Sequence, residues 1–257
     1  MTSKLKYPLL GFITFLFLFP FGYIVLLSLA QNWAFPSVWP DTITLDNWNI
    51  IFSAQGGMAY SFAISVAISL SVAFFSTLMG FITSKFIAYS SHRKQLMLFS
   101  YFPFILSPVI YAGCIYFFFI KMDLSGSIAG VVLAQLIIAY PYAIIIFSGF
   151  WSDKLKSMED LVTTLGGNKM QAYLKVLLPA AQGMLLVCFF QTYLISWFEY
   201  GLTAIIGVGK VQTLTIKVFQ YIQEANIYYA ALAACLLILP PAILLYVNKR
   251  FVFKTQH

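Results

Sequence analysis

The sequence predicts an all-α integral membrane protein of about six transmembrane helices. Three observations carry that expectation: an apolar composition, apolar stretches of spanning length that recur along the chain, and a lopsided placement of Lys and Arg. Of 257 residues, 61% are hydrophobic and only 9% are charged, and the mean hydropathy is +0.87. A soluble domain carries roughly 25% charged residues. This chain therefore has too little polar surface to cover a water-facing globule, and lipid must be its solvent over most of its area. The formal charge of +7 raises nucleic acid as a partner class. The basic residues, however, are scattered at the ends of apolar stretches, which is the pattern of membrane orientation and not of phosphate binding. No nucleic-acid partner is expected.

A spanning helix needs about 20 mostly apolar residues. The first runs from about Pro8 to Ala30, preceded by Lys4 and Lys6. Ser28-Leu29-Ala30 has the small-residue pattern of a signal-peptidase site, but the apolar core is longer than a signal-peptide core. A loop over 31–57 follows, rich in turn formers and aromatics: Asn32, Pro36, Pro40, Asp41, Asp46 and Asn47. The second span covers about Met58 to Ile82. The third runs from about Leu96 to Ile120 and contains Pro103 and Pro108. The fourth runs from about Ile128 to Trp151 around Pro141. A polar segment, 152–179, separates it from a fifth span over about Ala180 to Val208. A second loop, 209–226, carries Lys210, Lys217 and Glu224. The sixth span runs from about Ile227 to Val247, with Pro240 and Pro241. The expected organisation is a first helix and outer loop over 1–57, a five-span bundle over 58–250 and a tail over 251–257.

Orientation follows from the basic residues. With the N-terminus inside, one side holds Lys4, Lys6, Lys85, Arg93, Lys94, Lys154, Lys156, Lys169, Lys175, Lys249, Arg250 and Lys254. The other holds only Lys121, Lys210 and Lys217. An even number of spans puts both termini on the basic, cytoplasmic side.

Small residues mark one face of the second span: Ser61, Ser65, Ser69, Ala73, Ser76 and Gly80. Such a face lets membrane helices approach closely, and a pore-lining role for its serines is the competing reading. Gly126 and Gly130 repeat the spacing at the start of the fourth span. Cys114, Cys188 and Cys235 each lie in an apolar stretch, with no C-x-x-C, and read as small buried hydrophobes.

The polar segment 152–179 is the informative one. Glu159-Asp160 opens a short helical pattern, where the helix dipole favours negative charge. Gly166-Gly167 breaks it. A second short helix follows, with Met170, Tyr173, Leu174 and Leu177 at helical spacing. Pro179 sits where the next membrane helix starts. The expectation is a helix–turn–helix lying on the cytoplasmic face, able to receive a partner.

Here the sequence resembles the permease subunits of binding-protein-dependent ABC importers of the type I fold. These carry a cytoplasmic motif, E-A-A-x-x-x-G-x9-I-x-L-P. With Asp160 at the motif's Glu, Gly166 falls on its Gly, Val176 on its Ile, and Leu178-Pro179 on its Leu-Pro, without a gap. Asp160 departs from Glu, and Leu161 and Val162 replace the two alanines; Glu159 offers an acid one residue out of register. The resemblance implies that Glu159, Asp160, Leu165, Gly166, Gly167, Met170, Tyr173 and Pro179 form a coupling element for an ATPase. Topology and loop pattern look most like the branch serving polyamines, ferric iron, thiamine and phosphonates. Ser196-Trp197-Phe198-Glu199-Tyr200-Gly201 is similar to the family's acidic end of the penultimate span.

Glu199 is the single carboxylate inside a predicted span. It either lines a pathway or holds the loop after it. Ser107, Gln135, Gln191 and Ser196 are further polar residues inside spans, open to the same two readings.

No nucleotide loop is present: Gly207-Val208-Gly209-Lys210 has the wrong spacing for G-x-x-x-x-G-K-[ST]. His92 and His257 are the only histidines, too few for a metal cluster or a triad. The chain is expected to bind no cofactor and to be a non-enzyme, with ATP and Mg on a partner. The partners implied by the resemblance are two ATP-binding cassette subunits and a second permease, more often a different chain. A periplasmic or lipid-anchored solute-binding protein and membrane lipid complete the set, in a bacterial cytoplasmic (inner) membrane. The rival reading is an ion-gradient-driven secondary transporter, which usually shows more intramembrane charge and internal repeats.

Overall fold

The computed structural model describes residues 3–31, 33, 39–40, 42–49, 51 and 57–252, the side chains of 3–6, 8 and 247–252 excepted. Asn32, Pro36, Asp41 and Lys254 lie outside the described residues, as do the side chains of Lys4, Lys6, Lys249 and Arg250. The chain is built of helices in the order α1 (Ser3–Ser28), α2 (Asp46–Asn49), α3 (Met58–Ala88), α4 (Arg93–Tyr101), α5 (Pro108–Lys121), α6 (Ile128–Ser148), α7 (Asp153–Thr164), α8 (Lys169–Ala172), α9 (Leu178–Ala180), α10 (Gln182–Trp197), α11 (Gly201–Gly207), α12 (Leu214–Gln223) and α13 (Ile227–Val252). Two-residue strands β1 (Ala30–Gln31) and β2 (Thr42–Ile43) pair antiparallel, Ala30 opposite Ile43.

Among the described residues, four helical stretches are long and apolar enough to cross a membrane: Leu9–Ser28, Met58–Ala88, Ile128–Ser148 and Ile227–Tyr246. Two bent pairs bring the number to as many as six. The pair Arg93–Phe104 and Pro108–Lys121 is bent by 96°. Proline is the cause. Ser107 precedes Pro108 and is held extended, at φ −62° and ψ 140°, because the proline ring disfavours helical geometry in the residue before it. The third span is thus two segments and not one rod. The pair Lys169–Ala180 and Gln182–Trp197 is bent by 72°, after a wider π-type turn over Tyr173–Leu177.

The fifth span also ends earlier than the sequence suggests. It stops at Trp197, and the apolar residues after it form the separate helix α11. Composition does not separate these two elements, because α11 is itself Gly-Leu-Thr-Ala-Ile-Ile-Gly. The stretch 209–226, expected as an outer loop, contains helix α12. Thr213 Oγ1 caps it by accepting from Ile216 N at 3.4 Å.

The chain divides into two compact units. Met1–Ile64 with Thr213–Pro241 is one. There the strand pair is held by Asn47, whose Nδ2 donates to Ser28 O at 3.2 Å and to Ala30 O at 2.9 Å. Tyr228 clamps the loop, its hydroxyl accepting from Trp33 N at 2.6 Å and donating to Trp33 O at 3.1 Å.

Ser65–Gln212 with Ala242–His257 is the other unit, and it contains the residues of interest. The small-residue face of α3 is buried along its whole length, from Ser61 to Gly80, which is the packing arrangement. A Cβ on Gly80 would meet Ala143 Cβ of α6 at 2.5 Å, so glycine permits this closeness of backbones. Cys188 and Cys235 are buried, as the sequence suggests, whereas Cys114 is exposed.

Candidate functional site

The polar segment builds its site in three steps. Helix α7 starts at Asp153, six residues before the acidic pair, so Glu159 and Asp160 lie within the helix and do not open it. Leu165 closes α7, and Gly166 turns the chain at φ +85°, a left-handed conformation that glycine adopts without strain. Gly167 N donates to Val162 O at 2.9 Å. A Cβ on Gly167 would lie 2.6 Å from Val162 Cγ1, so the second glycine is needed for space. Asn168 then opens the next helix with a reciprocal capping box. Its Oδ1 accepts from Gln171 N at 2.8 Å, and Gln171 Oε1 accepts from Asn168 N at 3.1 Å.

This segment is anchored to the membrane helices by charge, hydrogen bonds and aromatic packing. Lys85, in the last turn of α3, places Nζ 2.6 Å from Glu159 Oε1, with both side chains largely buried. Trp151 Nε1 donates to Ser84 Oγ at 2.8 Å. Tyr89 OH donates to Ser152 O at 3.1 Å. Burial, then Glu159, Asp153 and Asp160, push the Tyr89 phenol above its ordinary value. Phe81 is the hub of the packing: its ring centroid is 5.2 Å from Phe147, 5.0 Å from Trp151 and 5.6 Å from Tyr173. Leu177, Ala181 and Cys188 complete this buried cluster. The aromatic cradle was not read from the sequence, because its members come from four separate elements and share no spacing.

The exposed side of the same segment carries large apolar side chains among charged ones, Lys154, Lys156, Asp160, Lys169 and Lys175. Leu161 is 58% exposed, Leu165 80%, Met170 65% and Leu174 52%. Asp160 and Pro179 are also exposed. Of the expected coupling residues, Glu159, Gly167 and Tyr173 thus face the protein, whereas Asp160, Leu165, Gly166 and Met170 face out. The acid that bonds to the helix bundle is Glu159, not the Asp160 that aligns with the motif's Glu.

A second site lies along α10, α11, α5 and α6. Glu199, one residue before the N-cap Tyr200 of α11, binds its first turn: Oε1 accepts from Leu202 N at 2.6 Å, and Oε2 accepts from Thr203 N at 3.0 Å and Thr203 Oγ1 at 2.7 Å. Gln135 of α6 donates from Nε2 to Thr203 Oγ1 at 2.9 Å and, more weakly, to Glu199 Oε2 at 3.5 Å. The Ser196 hydroxyl lies between Gln135 Oε1 and Ser69 Oγ, the latter at 3.2 Å. Gln135, Ser196 and Glu199 border a cavity of about 320 Å³, otherwise lined mostly by apolar residues such as Val109, Ile138, Leu194 and Phe198. The structure brings Gln135, Ser196 and Glu199 into one network. Ser107 is exposed beside Pro108, outside it. Gln191 lies further back on α10 and is not part of the cavity wall. Glu199 therefore does hold the chain that follows it, and it borders a cavity as well.

Comparison with known proteins decides the identity of this architecture. Residues 74–254 match the family of binding-protein-dependent transport system inner membrane components. The chain belongs to that family. It is a permease subunit of an ABC importer, and the gradient-driven alternative falls. A solved structure of similar fold is a chain of a bacterial ABC transporter involved in the import of the acidic polysaccharide alginate. The likeness covers 97% of this permease and 95% of that chain, at TM-score 0.66 and 16% identity, and so concerns the fold. Comparison with curated proteins gives no match.

Proposed function

We propose that this permease forms one half of a solute pathway and receives ATP-driven motion through the segment 152–179. The observation that carries this reading is the two-sided character of that segment. Its inward side is fixed to the helix bundle through Glu159, Trp151 and Tyr173. Its outward side presents Leu161, Leu165, Met170 and Leu174. An exposed apolar row beside charged residues is the composition of a protein-docking surface.

In this reading two separate ATP-binding cassette subunits seat that row and hold the ATP and Mg, and this chain binds neither. A second permease, of a different sequence, encloses the pathway with this one. A periplasmic or lipid-anchored binding protein delivers the solute to the outer face. The positive-inside pattern supports cytoplasmic termini and a bacterial inner membrane. Closure of the ATPases rocks the helices between inward-open and outward-open states, alternating access by rigid-body motion.

The test is purification of the tagged chain from its native membrane in mild detergent, with mass spectrometry of what accompanies it. The ATPase subunits are expected to come along, and to be lost with Leu165→Asp or Met170→Asp. Both side chains are exposed, so these variants leave the chain's own packing intact. A chain that carries no ATPase in its native form would refute the reading.

A further inference from the structure

The two sites described above share one helix. Lys85 sits in the last turn of α3 and holds Glu159 of the docking segment at 2.6 Å. Ser69 sits on the same helix, and its hydroxyl is 3.2 Å from Ser196, the residue that joins Gln135 in the cavity network. Residues 69 to 85 form an uninterrupted stretch of α3, about 24 Å long at 1.5 Å per residue. No proline, the usual cause of a sharp kink, interrupts it. The alternative route, along the chain from α8 into α10, passes the π-type turn and the 72° bend at Ala181.

We infer that α3 is the rod that carries movement of the docking segment to the cavity, with Lys85–Glu159 as its input joint and Ser69–Ser196 as its output joint. The input joint is suited to the task. An ion pair with both side chains partly buried is screened by salt less than an exposed one. It is backed by the Trp151–Ser84 and Tyr89–Ser152 hydrogen bonds, which fix the same end of α3 to the residues around the start of α7. At the output end, Ser196 contacts both α3 and α6, so a shift of Ser69 must disturb the Gln135–Thr203–Glu199 arrangement. Lys85 and Ser69 are thus positioning residues, acting through other groups and not on solute. This inference rests on the docking segment being the ATPase-facing one.

The experiment uses the assembled complex purified from native membranes. The three native cysteines are replaced by alanine, and one cysteine is placed at Leu194, a cavity-lining residue outside the network. The readout is the rate of labelling by a small maleimide, with and without Mg-ATP and vanadate. In the parent complex nucleotide changes that rate. Lys85→Glu and Glu159→Lys are each expected to shrink the nucleotide effect about tenfold, and the double swap to restore it. That corresponds to about 1.4 kcal/mol of interaction in a double-mutant cycle. Ser69→Ala is expected to shrink it while the ATPase remains bound. Lys85→Met and Glu159→Gln, close in shape, give the same reading where a reversed charge lowers expression.

A nucleotide effect that survives the single substitutions, or is not restored by the swap, overturns the inference while leaving the importer complex standing. So does a parent complex whose labelling ignores nucleotide. If no ATPase accompanies the chain, the docking assignment fails and the inference falls with it.

Discussion

Glu199 and Thr203 are bonded twice: the Glu199 carboxylate accepts from the Thr203 backbone N at 3.0 Å and from its hydroxyl at 2.7 Å. With Leu202 N at 2.6 Å on the other oxygen, the one acidic side chain of this region, one residue before the N-cap Tyr200, satisfies the first-turn N–H groups of a short helix. A carboxylate at that position satisfies orphan N–H groups and complements the helix dipole. Glu199→Ala should destabilise the chain by about 1–2 kcal/mol. Glu199→Gln, which keeps one acceptor oxygen, should cost less. Thermal unfolding of the detergent-purified variants checks both. A carboxylate that served the solute alone would leave the unfolding temperature unmoved.

The α3–α6 contact gives a second expectation. A Cβ at Gly80 would meet Ala143 Cβ at 2.5 Å and the Ala143 carbonyl carbon at 3.2 Å. Gly80→Ala must push two membrane helices apart, an overpacking cost of about 1–3 kcal/mol. Gly113→Ala, in α5, meets nothing within 4 Å and should be neutral or slightly stabilising. The two unfolding midpoints, measured side by side, separate close packing from glycine's general flexibility.

Gly166 tests the turn in the segment 152–179. Nothing lies within 4 Å of a Cβ there, but φ is +85°. The cost of Gly166→Ala is therefore backbone strain alone, about 1–2 kcal/mol. Gly166→Asn should cost less, since Asn tolerates left-handed geometry. The order expected for both thermal stability and ATPase retention is Gly, then Asn, then Ala. Equal retention by all three would show that the turn does not set the docking surface.

Tyr89 gives a pH dependence. Burial and the carboxylates of Glu159, Asp153 and Asp160 hold its phenol above the ordinary value of 10.0. The folded state therefore keeps the proton longer than the unfolded one. The stabilisation is fully present below pH 10 and is lost as pH rises through the raised folded value. Ionisation also removes the proton that Tyr89 donates to Ser152 O. Tyr89→Phe should lose less stability than the parent chain between about pH 9 and 11. Unfolding midpoints across that range, taken as a difference between the two chains, read it out.

The apolar stretches were legible in the sequence because length and hydropathy alone define a spanning segment. Their interruptions were less so. Pro108 announces the break at Ser107, yet a window of about 20 apolar residues runs across it unchanged. The fifth stretch ran too far, since Leu202 to Ile206 are as apolar as the span before them; the acid at Glu199 ahead of Gly201 was the available sign of a new helix start. In the segment 152–179 the Gly166-Gly167 break and the helical pattern after it could be read from spacing, but the inward acid could not, since the motif aligns with Asp160 and Lys85 pairs with Glu159. The Phe81–Phe147–Trp151–Tyr173 cradle could not. It joins residues up to 92 positions apart, from Phe81 to Tyr173, and one chain's sequence carries no periodic trace of such contacts.

The central claim is that the outward apolar row of the segment 152–179 is where an ATP-binding subunit sits. A photo-crosslinking amino acid placed at Leu165, 80% exposed, tests it most directly; Phe118 of α5, 61% exposed, serves as the comparison position. After irradiation of native membranes, position 165 should yield one defined adduct whose partner is an ATP-binding cassette subunit, and position 118 should yield none with that subunit. An ATPase that co-purifies with the chain yet is captured from position 118 and never from 165 would contradict the account.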